Sequence, residues 1–207
     1  MISYLLRPCY YKKALVDNQE AVRLEPIVAE YNNLGQNYLG LERADDAKAT
    51  FEQALAHNMD AGYLRVSMYY LAFLRNDAVD MQREVAWGAG RPGEEDPLLS
   101  AQSDTEAYYG RLEKALGFSR RAEESANRAG AKETAALWQA NGAVREAEFG
   151  ISTSARKNAR AAQVMAPGRD VEMLAALALA RAGDVPAAQE LVDKLNRKFP
   201  LNTVLQR

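Results

Sequence analysis

The stretch Tyr31-Asn-Asn-Leu34-Gly35-Gln-Asn-Tyr38, followed by Ala47, Phe51 and Ala54, decides the fold of this chain. Leu34 and Tyr38 are four residues apart, so they share one face of a helix. Ala47, Phe51 and Ala54 are spaced four and three apart, on one face of a second helix. Gly35 and Ala47 are small enough for the two backbones to approach closely, and Phe51 fills the space between neighbouring pairs. The phrase to seek elsewhere is small, large, small and then proline at the spacing of Ala47, Phe51 and Ala54.

It recurs. Upstream stand Ala14, Asn18, Ala21 and Pro26. Downstream stand Ala155, Ala159, Ala162 and Pro167, then Ala188, Val192, Leu195 and Pro200. Two weaker copies lie between, Met81, Val85, Gly88, Gly93 and Ala115, Ser119, Ala122, Asn127. The anchors at 14, 47, 81, 115, 155 and 188 are separated by 33, 34, 34, 40 and 33 residues. The 40-residue step predicts roughly two extra helical turns, in a longer helix pair around 111–129 and 132–149.

Composition agrees with an all-α chain. Of 207 residues, 37 are Ala and only 20 are β-branched (12 Val, 3 Ile, 5 Thr). Alanine is the best helix former, whereas β-branched residues favour strands. A hydrophobic fraction of 48% and a charged fraction of 26% are those of a globular protein. A net charge of −2 lacks the electrostatic footprint of a nucleic-acid binder. One cysteine, Cys9, excludes an internal disulfide framework and a thiolate zinc site. The apolar start Met1 to Leu6 is too short for a secretory signal, and the longest apolar run, Val171 to Ala182, is too short for a membrane span. These features read as a cytoplasmic chain.

The aromatic, Leu-Gly, Tyr, then small–aromatic–small pattern resembles the tetratricopeptide repeat, whose period is about 34 residues. The resemblance covers nearly the whole chain and is most specific over residues 28–60 and 150–200. It implies a right-handed α-solenoid of antiparallel helix pairs, a superhelix with a concave face. There are departures: Met59 and Gly93 replace the closing proline, and Arg65 and Tyr69 sit where an aromatic and a glycine are usual. The third repeat is therefore expected to be distorted. A narrower resemblance rests on Leu71-Ala-Phe-Leu74, Gln102-Ser-Asp-Thr-Glu-Ala-Tyr-Tyr109, Lys132-Glu-Thr-Ala-Ala-Leu-Trp-Gln139 and Arg145-Glu-Ala-Glu-Phe-Gly150. These phrases resemble the repeat tail of bacterial multidomain serine/threonine kinases. The chain has no His-Arg-Asp triplet and no Asp-Phe-Gly, so no kinase domain is expected within it.

The register divides the chain into a truncated first repeat (1–27), a tetratricopeptide-like repeat (28–60), a degenerate repeat (61–95), a degenerate repeat with a long second helix (96–130), a repeat with an insertion (131–168), and a terminal repeat that begins a further helix (169–207). Only 13 residues precede Ala14, and Pro8 is expected to shorten the helix there. Leu201 to Arg207 reads as an interrupted helix, so the ends suggest a piece cut from something longer. Helices are expected near 11–24, 28–41, 44–57, 61–74, 78–89, 97–109, 112–129, 132–149, 152–165, 170–182 and 185–198. Asp45, Asp77 and Asp184 mark second-helix starts, and Gly40, Gly130, Gly150 and Gly183 mark ends where a left-handed residue is easy.

No catalytic, cofactor or metal site is legible. Gly88-Ala-Gly90-Arg-Pro-Gly93 fits a dinucleotide fingerprint literally, but it follows a helix and contains Pro92, so it reads as a helix-terminating loop. His57, the only histidine, lies at a helix end, and Cys9 has no histidine to pair with. The acid clusters Asp45-Asp46, Glu94-Glu95-Asp96 and Glu123-Glu124 read as helix-start charge or solvated faces. Arg111, Lys114, Arg120 and Arg121 alternate with Glu113, Glu123 and Glu124, which suggests ion pairs along a helix face; the alternative is a patch for an acidic partner.

In tetratricopeptide arrays the first helices line the concave groove. The resemblance therefore places Asn32, Gln36, Tyr63, Val66, Tyr70, Phe73, Ser100, Asp104 and Tyr108 on or near a peptide-binding groove. Tyrosines and amides give large contact area and adaptable hydrogen bonds. Groove cations suited to a C-terminal carboxylate are absent apart from Arg65. The expected function is non-catalytic protein or peptide binding, as the interaction region of a larger bacterial signalling protein such as a kinase, with no nucleic-acid or membrane partner. The rival expectation is a scaffold that self-associates into a homo-oligomer through its terminal repeats.

Overall fold

The computed structural model describes residues 8–200. The expected helix at 201–207 lies outside the described residues. Eleven α-helices and no strand occur among them. They fall into two compact units, one ending at Ala89 and the other starting at Gly90.

The first unit holds α1 (Pro8–Leu24), α2 (Val28–Gly40), α3 (Ala44–Ala56), α4 (Gly62–Leu74) and α5 (Ala78–Gly88). Proline does not shorten α1. It opens the helix, where its missing N–H would have had no partner anyway. The deciding stretch behaves as its spacing requires. Tyr31, Leu34 and Tyr38 of α2 pack with Ala47, Phe51 and Ala54 of α3 and with Leu64, Met68 and Leu71 of α4 in one buried cluster. A Cβ on Gly35 would lie 2.1 Å from Phe51 Cε1, so the phenyl ring occupies the space a side chain would take. Gly40 does the same for the Tyr11 ring of α1, 2.8 Å from the place of a Cβ.

The tight turns need left-handed residues, and their positions correct one expectation. Gly40 is helical, and the positive φ in that turn belongs to Glu42 (60°). Asn58 (58°) and Asn76 (55°) serve the next two turns. Asn tolerates this conformation better than most side chains. Each such turn closes with a backbone bond back into the helix, such as Arg43 N–H to the Tyr38 carbonyl (2.9 Å) and Asp77 N–H to that of Ala72 (2.9 Å). Asp77 then caps α5 by accepting from the Asp80 N–H at 2.9 Å.

The second unit holds α6 (Glu95–Tyr108), α7 (Leu112–Arg128), α8 (Lys132–Glu148), α9 (Ser152–Met165), α10 (Arg169–Arg181) and α11 (Val185–Lys198). The helices α7 and α8 have 17 residues each, against 13 or 14 for the other four. Its core is built largely of alanine. Ala143, Ala159, Ala175, Ala178 and Ala188 pack with Val144, Leu179 and Leu191, and Ala136, Ala140 and Ala162 with Val171. Alanine lets helix backbones approach closely without losing side-chain entropy on burial. Gly110, Gly130, Gly150 and Gly183 take positive φ in four of the turns. The Gly88–Gly93 segment ends α5 and leads into α6 through two left-handed glycines, Gly90 and Gly93.

Candidate functional site

In the first unit the groove candidates fall on α2 and α4. Tyr63, Val66, Tyr70 and Phe73 follow one another at helical spacing along α4. Tyr63 is exposed, and the other three are half-buried. The Tyr70 ring meets that of Tyr69 edge-on at 5.8 Å. The two amide candidates are brought together with a residue the sequence reading missed. Gln36 Nε2 donates to Ser67 Oγ (3.1 Å), and Ser67 Oγ donates to Asn32 Oδ1 (2.7 Å). Asn32 is buried and committed to this link between α2 and α4.

Arg65, which stands in place of an aromatic residue, is held from three sides. Its Nε and Nη2 donate to the two carboxylate oxygens of Asp60 at 2.7 and 2.8 Å. Its Nη1 donates to Oε2 of the fully buried Glu84 (3.0 Å), and its guanidinium lies 5.2 Å over the Trp87 ring. Trp87 Nε1 returns to Asp60 Oδ2 (3.0 Å), and Arg83 Nε reaches Glu84 Oε1 (3.2 Å). Hydrogen bonding to Asp60, more than that to Glu84, raises the Arg65 pKa above its usual value, against the opposing effect of burial. The chemical result is a charge cluster that is internally satisfied. A planar fork meets one carboxylate with two parallel bonds and a second with its remaining donor. Position 65 carrying a cation five residues after Asp60 was the sequence signal for it; Glu84 on the next helix gave none.

In the second unit the candidates Ser100, Asp104 and Tyr108 fall on α6. Ser100 is buried, and Tyr108 is exposed beside Tyr109, ring centroids 5.3 Å apart. Asp104 Oδ1 accepts from Nη2 (2.5 Å) and Nε (3.2 Å) of Arg145, a buried cation of α8. Arg145 Nη1 also donates to Ser119 Oγ (3.0 Å), which shares a hydrogen bond with Ser103 Oγ (2.9 Å). Trp138 Nε1 donates to Oδ2 of the buried Asp96 (2.7 Å). Asp96, read in the sequence as part of an acid cluster at a helix start or on a solvated face, is instead buried in the first turn of α6. Arg145 and Trp138 were not marked as site residues, because their partners lie about forty residues away and neither member of a pair marks the other.

The remaining candidates are structural or solvated. His57 caps the end of α3 and stacks on Tyr31, centroids 6.4 Å apart. Glu95 accepts from Ser125 Oγ (2.7 Å), from the Gly90 N–H (3.3 Å) and from Arg128 (3.2 Å). The Ser125 bond, foremost, lowers the Glu95 pKa. The expected ion pairs along α7 are different ones. Arg111 bonds Glu106 of α6 (3.3 Å), and the Arg121 guanidinium sits 5.3 Å over Phe118. Burial and the Glu124 charge raise the Glu123 pKa. Among the described residues no group of His, Cys, Asp and Glu could hold a metal ion, and no helix is long and apolar enough to cross a membrane.

No family model matches the chain, and no curated protein matches it. Solved structures do. BtubC (BKLC) from P. vanneervenii superposes with a TM-score of 0.63 at 13% identity, over 94% of this chain and 90% of that one. TTC0263, a tetratricopeptide protein of Thermus thermophilus, gives 0.55 at 18% identity over 91% and 95%. The fold is of the tetratricopeptide type. PilW, a type IV pilus biogenesis factor, gives 0.54 at 18% identity over 95% and 89%. At these identities what is shared is the tetratricopeptide architecture of helix pairs.

Proposed function

We propose that this tetratricopeptide-type chain is a non-catalytic scaffold that binds a protein or peptide through the faces of its first helices. The observation that carries the reading is the α4 row of Tyr63, Val66, Tyr70 and Phe73, uncharged along four helical positions. Its neighbouring polar groups are already matched within the protein: Asn32 and Gln36 by Ser67, Arg65 by Asp60 and Glu84. A row of this kind offers aromatic area and hydroxyls rather than charge, which suits an extended or helical peptide. In the second unit Tyr108 is the corresponding candidate, and Asp104 acts through Arg145. The six-part repeat division stands as part of this proposal.

The setting we propose is the cytoplasmic interaction region of a larger bacterial signalling protein, of the serine/threonine kinase type. It rests on the four sequence phrases between Leu71 and Gly150. The near-neutral charge supports a partner that is protein rather than nucleic acid. Affinity capture with mass spectrometry identifies the partner. Tyr70→Ala and Tyr108→Ala are expected to abolish its binding while the helical circular dichroism stays unchanged. Binding that survives both substitutions refutes the groove assignment.

A further inference from the structure

Two side-chain pairs join α6 to α8 in the second unit, and they differ in charge balance. Asp104 of α6 accepts from Arg145 of α8 at 2.5 and 3.2 Å, so that carboxylate has its cation. Asp96 lies eight residues before Asp104, and Trp138 lies seven residues before Arg145, each along the same helix stripe as its successor. Here the carboxylate meets an indole instead: Trp138 Nε1 donates to Asp96 Oδ2 at 2.7 Å. Asp96 is 1% exposed, its Oδ1 has no hydrogen-bond partner, and no ion pair reaches it among the described residues. A buried carboxylate without a counter-ion is costly, and its place in the first turn of α6 offsets only part of that cost. The neighbouring Glu95 adds a like charge and holds Arg128 for itself.

The first unit holds the same arrangement with its cation in place. Trp87 Nε1 donates to Asp60 Oδ2 at 3.0 Å, and the Arg65 guanidinium lies 5.2 Å over the Trp87 ring. In the second unit the indole and the carboxylate are present, but no cation or aromatic ring of the described residues lies against Trp138. The Trp138 side chain is only half-buried. Donating to an anion polarises the indole and enriches its ring in electron density, and the face of tryptophan is the strongest aromatic partner for a cation. The buried charge of Asp96 therefore reaches the surface through the ring. The nearest cation along the α8 stripe, Arg145, is already bonded to Asp104 and to Ser119.

We infer that the Trp138 indole, backed by Asp96, takes an arginine side chain of the partner peptide. This rests on the proposed first-helix binding face, because the Asp104–Arg145 pair sets Trp138 beside a groove candidate. The test follows the Trp138 indole N–H of the whole chain by NMR, assigned by its loss in Trp138→Phe. The probe is N-acetylarginine amide, titrated into the tens-of-millimolar range, and its neutral isostere N-acetylcitrulline amide is the control. A concentration-dependent shift is expected with arginine alone. Asp96→Asn keeps an acceptor for the indole but removes the charge, and it is expected to weaken arginine binding about tenfold. Trp138→Leu, followed through the Asn141 backbone amide one turn away, is the second variant should Asp96→Asn not fold. Tyr70→Ala leaves the titration unchanged, so loss of the tyrosine row and loss of this site are told apart. An equal shift with citrulline, no shift with arginine, or native arginine binding by either variant overturns the inference.

Discussion

Gly35→Ala tests the central packing claim. A Cβ at this position would lie 2.1, 2.5 and 2.7 Å from three atoms of the Phe51 ring. Phe51 is fully buried in one cluster with Tyr31, Leu34 and Leu64, so a displaced ring must push against packed neighbours. Overpacking costs about 1–3 kcal/mol, and an overlap spread over three ring atoms points to the upper end, ~3 kcal/mol. Alanine in place of a helical glycine offsets about 1 kcal/mol. The expected net loss is therefore about 2 kcal/mol, or roughly 4–8 °C in Tm for a chain of this size. Urea and thermal melts followed by circular dichroism measure it. The companion is Gly35→Ala with Phe51→Leu. Leucine vacates the space that the alanine methyl needs, so the double variant is expected to be more stable than the sum of the singles by about 2 kcal/mol. A Gly35→Ala variant as stable as the native chain, or stabilised by the helix preference alone, refutes the account of why glycine stands there.

Three further outcomes follow from the charged groups. Arg65→Ala leaves Glu84 buried with only Arg83 for a partner and is expected to cost about 3 kcal/mol by urea midpoint; adding Glu84→Leu recovers most of that loss. Ser125→Ala removes the main cause of the low Glu95 pKa, so an NMR titration of Glu95 moves upward towards the ordinary glutamate value of about 4.3. Because the folded value lies below the unfolded one, the Glu95 contribution to stability is present above the unfolded pKa and lost as pH falls through the folded one. The acid side of the Ser125→Ala stability curve should flatten accordingly. Glu123 has the opposite sign, its folded pKa lying above the unfolded one. Glu123→Gln is expected to stabilise the chain at neutral pH by a few tenths of a kcal/mol, and the advantage should vanish below the unfolded glutamate pKa.

The helix pairs were legible because they are repeated and local. A small residue at 47, a ring at 51 and a glycine at 35 constrain one another within one pair of consecutive helices, and the spacing of the second helix returns along the sequence. Turn chemistry was less legible. Gly40 reads as a helix stop, yet its lack of a side chain serves the Tyr11 ring, and Glu42 takes the left-handed conformation that glycine would have taken more easily. A glycine can answer to a backbone angle or to a neighbour's volume, and sequence does not say which.

The polar interior was hidden for a different reason. Two first helices carry a charge matched from the next helix, Arg65 in α4, where an aromatic is usual, and the buried Glu172 in α10. Each is matched from the following second helix, Arg65 by Glu84 at 3.0 Å and Glu172 by Lys194 at 2.6 Å. In sequence Arg65 looks like damage to the third repeat. In the fold the Arg65 charge replaces one cohesive contact by another, and in both helices removing a single partner leaves a buried carboxylate behind, Glu84 or Glu172. This also limits what the candidate groove can recognise. The cation nearest its tyrosines is already bonded within the protein, so discrimination there must come from the shape and the rings of Tyr63, Tyr70 and Phe73. A peptide variant that gains affinity by adding an acidic residue opposite Arg65 would contradict that conclusion, since binding it would draw Arg65 away from Asp60 and Glu84 and leave Glu84 with only Arg83.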